Sequence, residues 1–318
     1  MKPRPAALWL AFVLALAVPF VLESWFVFQA ATALTYAVAL SGLVVITGYG
    51  GQLALGNGAF FAIGAYTTAV LMQRTGLPFV STLPLAAGLA FASGVIIGLP
   101  ALRLRGHFLA LLTLAIAVAA PQFIKHFESV SGGVRGLSIV AADPPPWLGL
   151  DASQRNYLVC LAVTTLAFAA THLLVRGRIG RALLAIRDNE TVAAAMGIDV
   201  ARYKVLAFAY SAVLAGLGGS LYAYVVGYIS PDGFTIGFAA LLIIGLVVGG
   251  KSSLAGAAVG ALFIVLVPVY AAKIDPALSG LSFAAVVVLV LILAPDGLVS
   301  LAARLTQRLR GPAPPPSS

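Results

Sequence analysis

Apolar stretches of membrane-crossing length follow one another along nearly the whole chain, separated by short polar punctuation. Reading for runs of about 17 to 25 residues, the length a helix needs to cross a hydrocarbon core, gives ten: 6–22, 30–47, 53–72, 79–101, 108–124, 157–175, 205–226, 234–250, 254–272 and 278–295. The pattern predicts an all-α polytopic membrane protein of about ten transmembrane helices, one membrane-spanning domain over residues 1–318. Composition points the same way. With 61% hydrophobic and 9% charged residues and a mean hydropathy of +1.05, the chain lacks the polar surface that a water-facing protein of this length needs.

Charge then orients the spans. If they cross in turn from an inner start, the inner connections hold Lys2, Arg4, Arg103, Arg105, Arg176, Arg178, Arg181, Arg187, Arg202, Lys204, Lys251, Arg304, Arg308 and Arg310, and the outer ones only Arg74, Lys125, Arg135, Arg155 and Lys273. Fourteen of the 19 basic residues on one side is the positive-inside bias of a chain with both termini in the cytoplasm. The net charge of +9 is thereby explained by topology, and no nucleic-acid partner is expected. Cys160, the single cysteine, cannot form an internal disulfide. No metal ion or cofactor is expected.

Two polar stretches interrupt the spans. The outer one, 125–156, carries "SGGVRGLSIV" and "DPPPW", whose glycines and prolines suggest an ordered, non-helical loop. The inner one, 176–204, reads as two short helices: the first through Arg181 to Arg187, the second capped by Asp188 or Asn189 and stopped at Gly197. Leu183, Leu184, Ile186, Val192 and Met196 fall at helical spacings there, an apolar face beside a basic rim that asks for a partner. Residues 301–318 form an inner tail.

"GLVVGGKS", residues 245–252, satisfies the phosphate-loop pattern G-x4-G-K-[ST]. Its interior is Leu-Val-Val, its preceding aliphatic run belongs to a membrane span, and the polar stretches are too short to build a nucleotide-binding sheet. The chain is therefore not expected to be an enzyme, and Lys251 reads as an inner-face residue at a helix end. The more informative stretch is "GYGGQLALGNGAFFAIGAY", residues 48–66. Small residues let helices approach closely, but Gln52 and Asn57 within hydrocarbon also need a buried or wet setting. They predict a broken or re-entrant helix beside a path, with Tyr66 further along it and Thr113 of "LALLTLAI" opposite.

"GYGGQLALGNGAFFAIGAYTTAVL", "LRLRGHFLALLTLAI", "SGGVRGL", "GRALLAIRDNETVAAAMGI", "ISPDGF" and "GGKSSLAGAAVGA" follow one another in an order that resembles the branched-chain amino-acid ABC transporter permeases, the LivH/LivM family, with the LivM type closer, over residues 35 to 297. The resemblance implies an importer permease fold of inverted halves in a bacterial inner membrane. It implies import of branched-chain or related amino acids, a second homologous permease subunit, two ABC ATPase subunits that hydrolyse the ATP, and a periplasmic substrate-binding protein. It places ATPase coupling in the inner loop, on Gly180, Arg181, Arg187, Asp188, Asn189, Glu190, Ala193, Ala194 and Gly197. The loop departs from the importer pattern E-A-A-x3-G, since Glu190 stands seven residues before Gly197 and no Leu-Pro follows. The first segment, 1–29, also has the form of a signal peptide; such permeases keep it as a peripheral helix. "GYGGQLALGNGAF" and "GYISPDGFTIGFA" read as echoes of each other in the two halves. The alternative is a stand-alone channel or secondary transporter for a small solute such as urea. An ion-coupled carrier commonly needs a carboxylate within the membrane, and all ten acids, Glu23 and Asp296 included, fall in connections or at span edges.

Overall fold

The computed structural model describes residues 5–52, 54–102, 107–139, 151–274 and 278–301. Lys2, Arg4, Arg103, Arg105, the "DPPPW" stretch and the tail beyond residue 301 lie outside the described residues. The chain forms α1 (Pro5–Val21), α2 (Ser24–Leu43) continued by a π-helical segment Val44–Tyr49, α3 (Asn57–Thr75), α4 (Phe79–Ala101), α5 (His107–His126), the short α6 (Glu128–Ser131), β1 (Leu137–Ser138), α7 (Ala152–Arg176), α8 (Arg178–Asp188), α9 (Glu190–Ala195), α10 (Val200–Val226), β2 (Tyr228–Ile229), α11 (Ile236–Gly249), α12 (Leu254–Ile274) and α13 (Ser279–Leu293).

Each of the ten apolar runs is helical. Among the described residues six helices are long and apolar enough to cross a membrane, Ser24–Tyr49, Phe79–Pro100, Phe108–His126, Ala152–Arg176, Val200–Val226 and Leu254–Lys273, while α11 and α13 are apolar but shorter. Four helix starts differ from the hydropathy reading, α7 and α10 each beginning five residues earlier, at Ala152 and Val200. The second helix begins at Ser24, because Glu23 adopts the extended backbone of an N-cap. The third begins only at Asn57, since Gly51 takes φ +66° and residues 50–52 and 54–56 lie outside the helix. "LLII" lies inside α11 and Lys251 in the turn after it, so the strand that a phosphate loop requires is replaced by a helix.

The "YSAVLAGLGGSLY" helix, α10, packs against α2, α3 and α4. A Cβ on Gly64 of α3 would overlap the backbone of Gly216, one on Gly219 the carbonyl of Phe61, and one on Gly218 would lie 2.7 Å from the Thr35 carbonyl of α2. Where backbones touch in this way, attraction comes from dispersion across small residues, which lipid tails cannot match. A hydroxyl pair reinforces the seam: Thr68 and Ser220 lie 2.5 Å apart, with Thr82 of α4 donating to Thr68 at 3.4 Å. The pairings also repeat between the two halves of the chain, α2 with α12 as α10 with α4, and α3 with α4 as α11 with α12. At the rim, α1 leans on α7, where Tyr157 donates to the Ala15 carbonyl at 2.8 Å and Gln154 to that of Pro19 at 2.9 Å.

The bundle has two distinct ends. One gathers Gly48, Lys251, Gly250, Gly297 and the α8–α9 loop. The other gathers the Lys125–Asp232 ion pair of 2.6 Å, the Arg74 hydrogen bond to the Ser129 carbonyl, and the β1–β2 pair, in which Leu137 faces Ile229. The first end holds Arg187 and Lys251, which the charge reading grouped together, and the second Arg74 and Lys125, which it placed in the other group. "SGGVRGL" is ordered as expected but not free of helix, being built from α6, a 3-10 turn and β1.

Replacing Gly64 by Ala should lower the unfolding midpoint of the detergent-extracted protein by an amount equivalent to roughly 1–3 kcal/mol of overpacking. Gly88→Ala, where a Cβ would meet nothing within 4 Å, should leave the midpoint level or raise it.

Candidate functional site

The π-helical segment is the first half of the break. Gly50 donates its N–H to the Val45 carbonyl at 2.9 Å and Gln52 to that of Ile46 at 3.0 Å, and there the helix ends. Residues 54–56 then climb into the bundle, and α3 starts at Asn57. Its amide oxygen accepts a 3.2 Å hydrogen bond from Ser211, eleven residues into the 27-residue α10. At 1.5 Å per residue this is about 16 Å up a helix of about 40 Å. The start of α3 is therefore near mid-depth. Gly56, its N-cap, has no side chain to accept a hydrogen bond, and the Thr235 hydroxyl at the start of α11 makes no capping bond. The two helix starts meet, since a Cβ on Gly58 would touch Ala239 at 3.3 Å and Phe238 at 3.4 Å. The echoing segments of the sequence are thus neighbours in space.

Asn57 is 3% exposed, and its Nδ2 has no hydrogen-bond partner. The buried Nε2 of Gln52 and hydroxyl of Tyr66 are likewise unpartnered. An unpaired buried donor costs about 1–3 kcal/mol, so three of them along one segment mark somewhere that another polar group is received. Thr113 is placed opposite as the sequence suggests, but it is occupied. It accepts the Leu55 N–H at 3.0 Å and donates to the Ala110 carbonyl at 3.0 Å, pinning the climbing strand to α5. Gln52 and Asn57 are not one cluster: Gln52 follows Gly51, which lies under Arg187 at the inner end, whereas Asn57 sits near mid-depth.

A cavity of about 730 Å³ runs between α3, α4 and α5, from Val130 and Ser131 down to Ala59. Tyr66 and Thr67 are among its few polar lining residues, and Gln52, Asn57 and Thr113 do not line it. A wall of Leu85, Leu89, Ile116 and Phe123 suits an aliphatic group and not a bare zwitterion. The Asn57 amide is packed at a helix start and the Gln52 amide follows the end of the π-helical segment, neither facing this space. The sequence reading missed the rings beside them. Phe61 stands within 5.0 to 6.2 Å of Tyr36, Tyr222, Phe234 and Phe238, centroid to centroid, and Tyr66 meets Phe234 at 6.0 Å. The phenylalanines of "ISPDGF" and "TIGFA" were the available signal.

In the inner loop Asn189, not Asp188, caps α9, accepting from Thr191 and Val192 at 3.0 and 3.1 Å. Gly197 ends that turn with φ +83°. The apolar face divides. Leu183 and Ile186 are buried within the chain, Leu183 against Val45 and Ala207, so the partner of α8 is the bundle itself. Val192 (53%) and Met196 (79%) of the second helical turn are exposed. Gly180 packs against the Val175 backbone and Ala193 is buried, while Arg181, Asp188 and Ala194 are exposed. Glu190 pairs with Lys204 at 2.8 Å, and Arg187 donates to the Gly48 carbonyl at 2.7 Å.

Residues 25–294 match the family described as branched-chain amino acid transport system, permease component. The chain is 34% identical over 267 residues to the high-affinity branched-chain amino acid transport system permease protein LivM of Escherichia coli K12, covering 76% of this chain and 62% of that one. It is 26% identical over 284 residues to the permease protein LivH of Salmonella typhimurium, covering 83% and 91%, and 27% identical over 232 residues to a probable LivM of Methanocaldococcus jannaschii, covering 68% and 66%. The match thus spans less than two thirds of the length of the E. coli LivM protein. No solved structure matches the chain.

Thr113→Val should leave the Leu55 N–H unpaired and lower the unfolding midpoint by the equivalent of about 1–3 kcal/mol. Thr67→Val, which removes only a bond to the Ile63 carbonyl within its own helix, should be close to neutral in the same measurement.

Proposed function

The chain belongs to the family of branched-chain amino acid transport permeases, and on that premise we propose that it is the membrane-spanning subunit of an ABC importer for branched-chain or related amino acids. In this reading the whole chain is one permease domain in a bacterial inner membrane, crossing about ten times with both termini inside and its halves related as inverted repeats. The repeated helix pairings, α2 with α12 and α10 with α4, support the repeat. A second homologous permease completes the path, a periplasmic binding protein delivers substrate to the outer end, and two ATPase subunits meet the inner loop.

The observation that carries the proposal is the unpartnered Nδ2 of Asn57 at an uncapped helix start near mid-depth, facing a second uncapped start at Ile236. Helix starts present free N–H groups and the positive end of the backbone dipole. Together with an amide donor they suit the carboxylate of an amino acid in transit, as at discontinuous helices in other transporters. The aromatic cluster from Tyr36 to Phe238 offers the aliphatic side chain an apolar surface alongside. Every acidic residue among those described lies at a helix end or in a connection, which leaves ion coupling without a carboxylate and agrees with ATP as the energy source.

On the inner side, Val192, Ala194 and Met196 form the surface that enters a groove on the ATPase as an amphipathic anchor. Arg181 and Asp188 flank it, and Asn189 and Gly197 set the ends of the turn that presents it.

Asn57→Leu should reduce substrate uptake by the assembled transporter about tenfold or more, the loss of one buried polar contact, with expression and ATPase association kept. Full uptake in that variant, with Gly58→Leu abolishing assembly, would leave the segment a packing device alone. Ala194→Trp should weaken co-purification of the ATPase while the permease still inserts.

A further inference from the structure

Arg187 stands in the loop that the proposed function assigns to ATPase contact, and its guanidinium, partly exposed and 3.6 Å from the Asp188 carboxylate on one side, reaches the bundle on the other. Nη1 donates to the Gly48 carbonyl at 2.7 Å, across 139 residues of sequence. The last carbonyls of a helix have no partner within it, and Gly48 is one residue from the end of the π-helical segment. The cation therefore caps that end and meets the negative pole of the α2 backbone. The stem of the side chain lies over Gly51, where a Cβ would sit 2.5 Å from Arg187 Cγ. Gly51 also has φ +66°, so glycine is required there twice over. On its other side Gly48 abuts the Lys251 carbonyl closely enough that any Cβ would overlap it. One turn earlier on α8, Leu183 is fully buried in the cluster that holds Val45 and Tyr49.

α8 and the π-helical segment are thus joined twice, by an apolar contact and by a charged hydrogen bond at its free end. The segment leads directly into the break that carries Gln52 and Asn57. We propose that Arg187 is a positioning residue that transmits movement of the inner loop to this break, and that its part in coupling is the tether to Gly48 and not a grip on the ATPase. A displacement imposed on α9 passes through Asn189 to α8, through Arg187 to Gly48, and so to residues 50–56, where it shifts the start of α3. This rests on the reading of α9 as the ATPase contact, and the test keeps the two apart.

The experiment uses the complete transporter in vesicles, with its partner permease, ATPases and binding protein, and compares Arg187→Met, Arg187→Lys and Ala194→Trp. Arg187→Met keeps the stem over Gly51 and removes the donor. It should hold ATPase co-purification within about twofold and lower uptake about tenfold or more, the effect of one charge-assisted hydrogen bond. ATP hydrolysis should continue but no longer rise when loaded binding protein is added. Arg187→Lys, which keeps a cation and a donor, should recover much of the uptake and of that stimulation. Unimpaired uptake in Arg187→Met, loss of ATPase co-purification in it, or a Lys variant as inactive as the Met variant would each overturn the proposal. If Arg187→Met fails to insert, Arg187→Gln, too short to span to Gly48, takes the same readings. Unchanged ATPase association in Ala194→Trp would instead refute the docking surface on α9, independently of what the Arg187 variants do.

Discussion

Backbone approaching backbone across glycine is the constraint on which the rest of this bundle depends. In lipid there is no hydrophobic force between helices, so α10 holds its neighbours by contacts that only hydrogen atoms can fill: Gly64 on Gly216, Phe61 on Gly219, Thr35 on Gly218. That closeness fixes the relative height of α2, α3 and α10 within a narrow tolerance. It is what sets Asn57 against Ser211 and brings Gly42 of α2 within 2.9 Å of the same residue's carbonyl, measured from the Cβ it lacks. The polar site is a consequence of the packing, because a looser bundle would let water or lipid settle the amides.

A helix broken near mid-depth is costly in hydrocarbon unless protein surrounds the freed backbone. Here Thr113 satisfies Leu55, the π-helical turn uses the N–H groups of Gly50 and Gln52, and Arg187 caps Gly48. What is left over among the described residues of this segment is the Nε2 of Gln52 and the Nδ2 of Asn57, the latter beside two helix starts that no side chain caps. The inner loop is tied to the same segment, since Arg187 belongs to α8 and its acceptor, Gly48, to the π-helical turn.

The helices were legible because a membrane enforces runs of apolar residues, and the break because Gln52 and Asn57 stand in a glycine-rich run of one of them. The π-helical turn was not legible, because "VVITGY" has no composition that separates it from an α-helix. Arg187 reads in the sequence as an ATPase-coupling residue, since nothing local says that it also reaches a carbonyl 139 residues away. The apolar positions of the inner loop looked like one face. The structure divides them, Leu183 and Ile186 inward and Val192 and Met196 outward, because α8 packs against Val45 and Ala207 of the bundle while α9 leaves these two side chains uncovered. The aromatic cluster escaped because its members lie on α2, α3, α10, α11 and the 3-10 turn before α11, joined only by the fold.

Single cysteines placed in turn from 52 to 66 in a protein lacking Cys160, and exposed to a water-soluble thiol reagent from one side of the membrane, test the central claim most directly. If residues 50–57 are a polar break on the path that moves with ATP, positions near Asn57 should react, and their reactivity should change when the assembled transporter is given nucleotide. Protection at every position, with and without ATP, would contradict it.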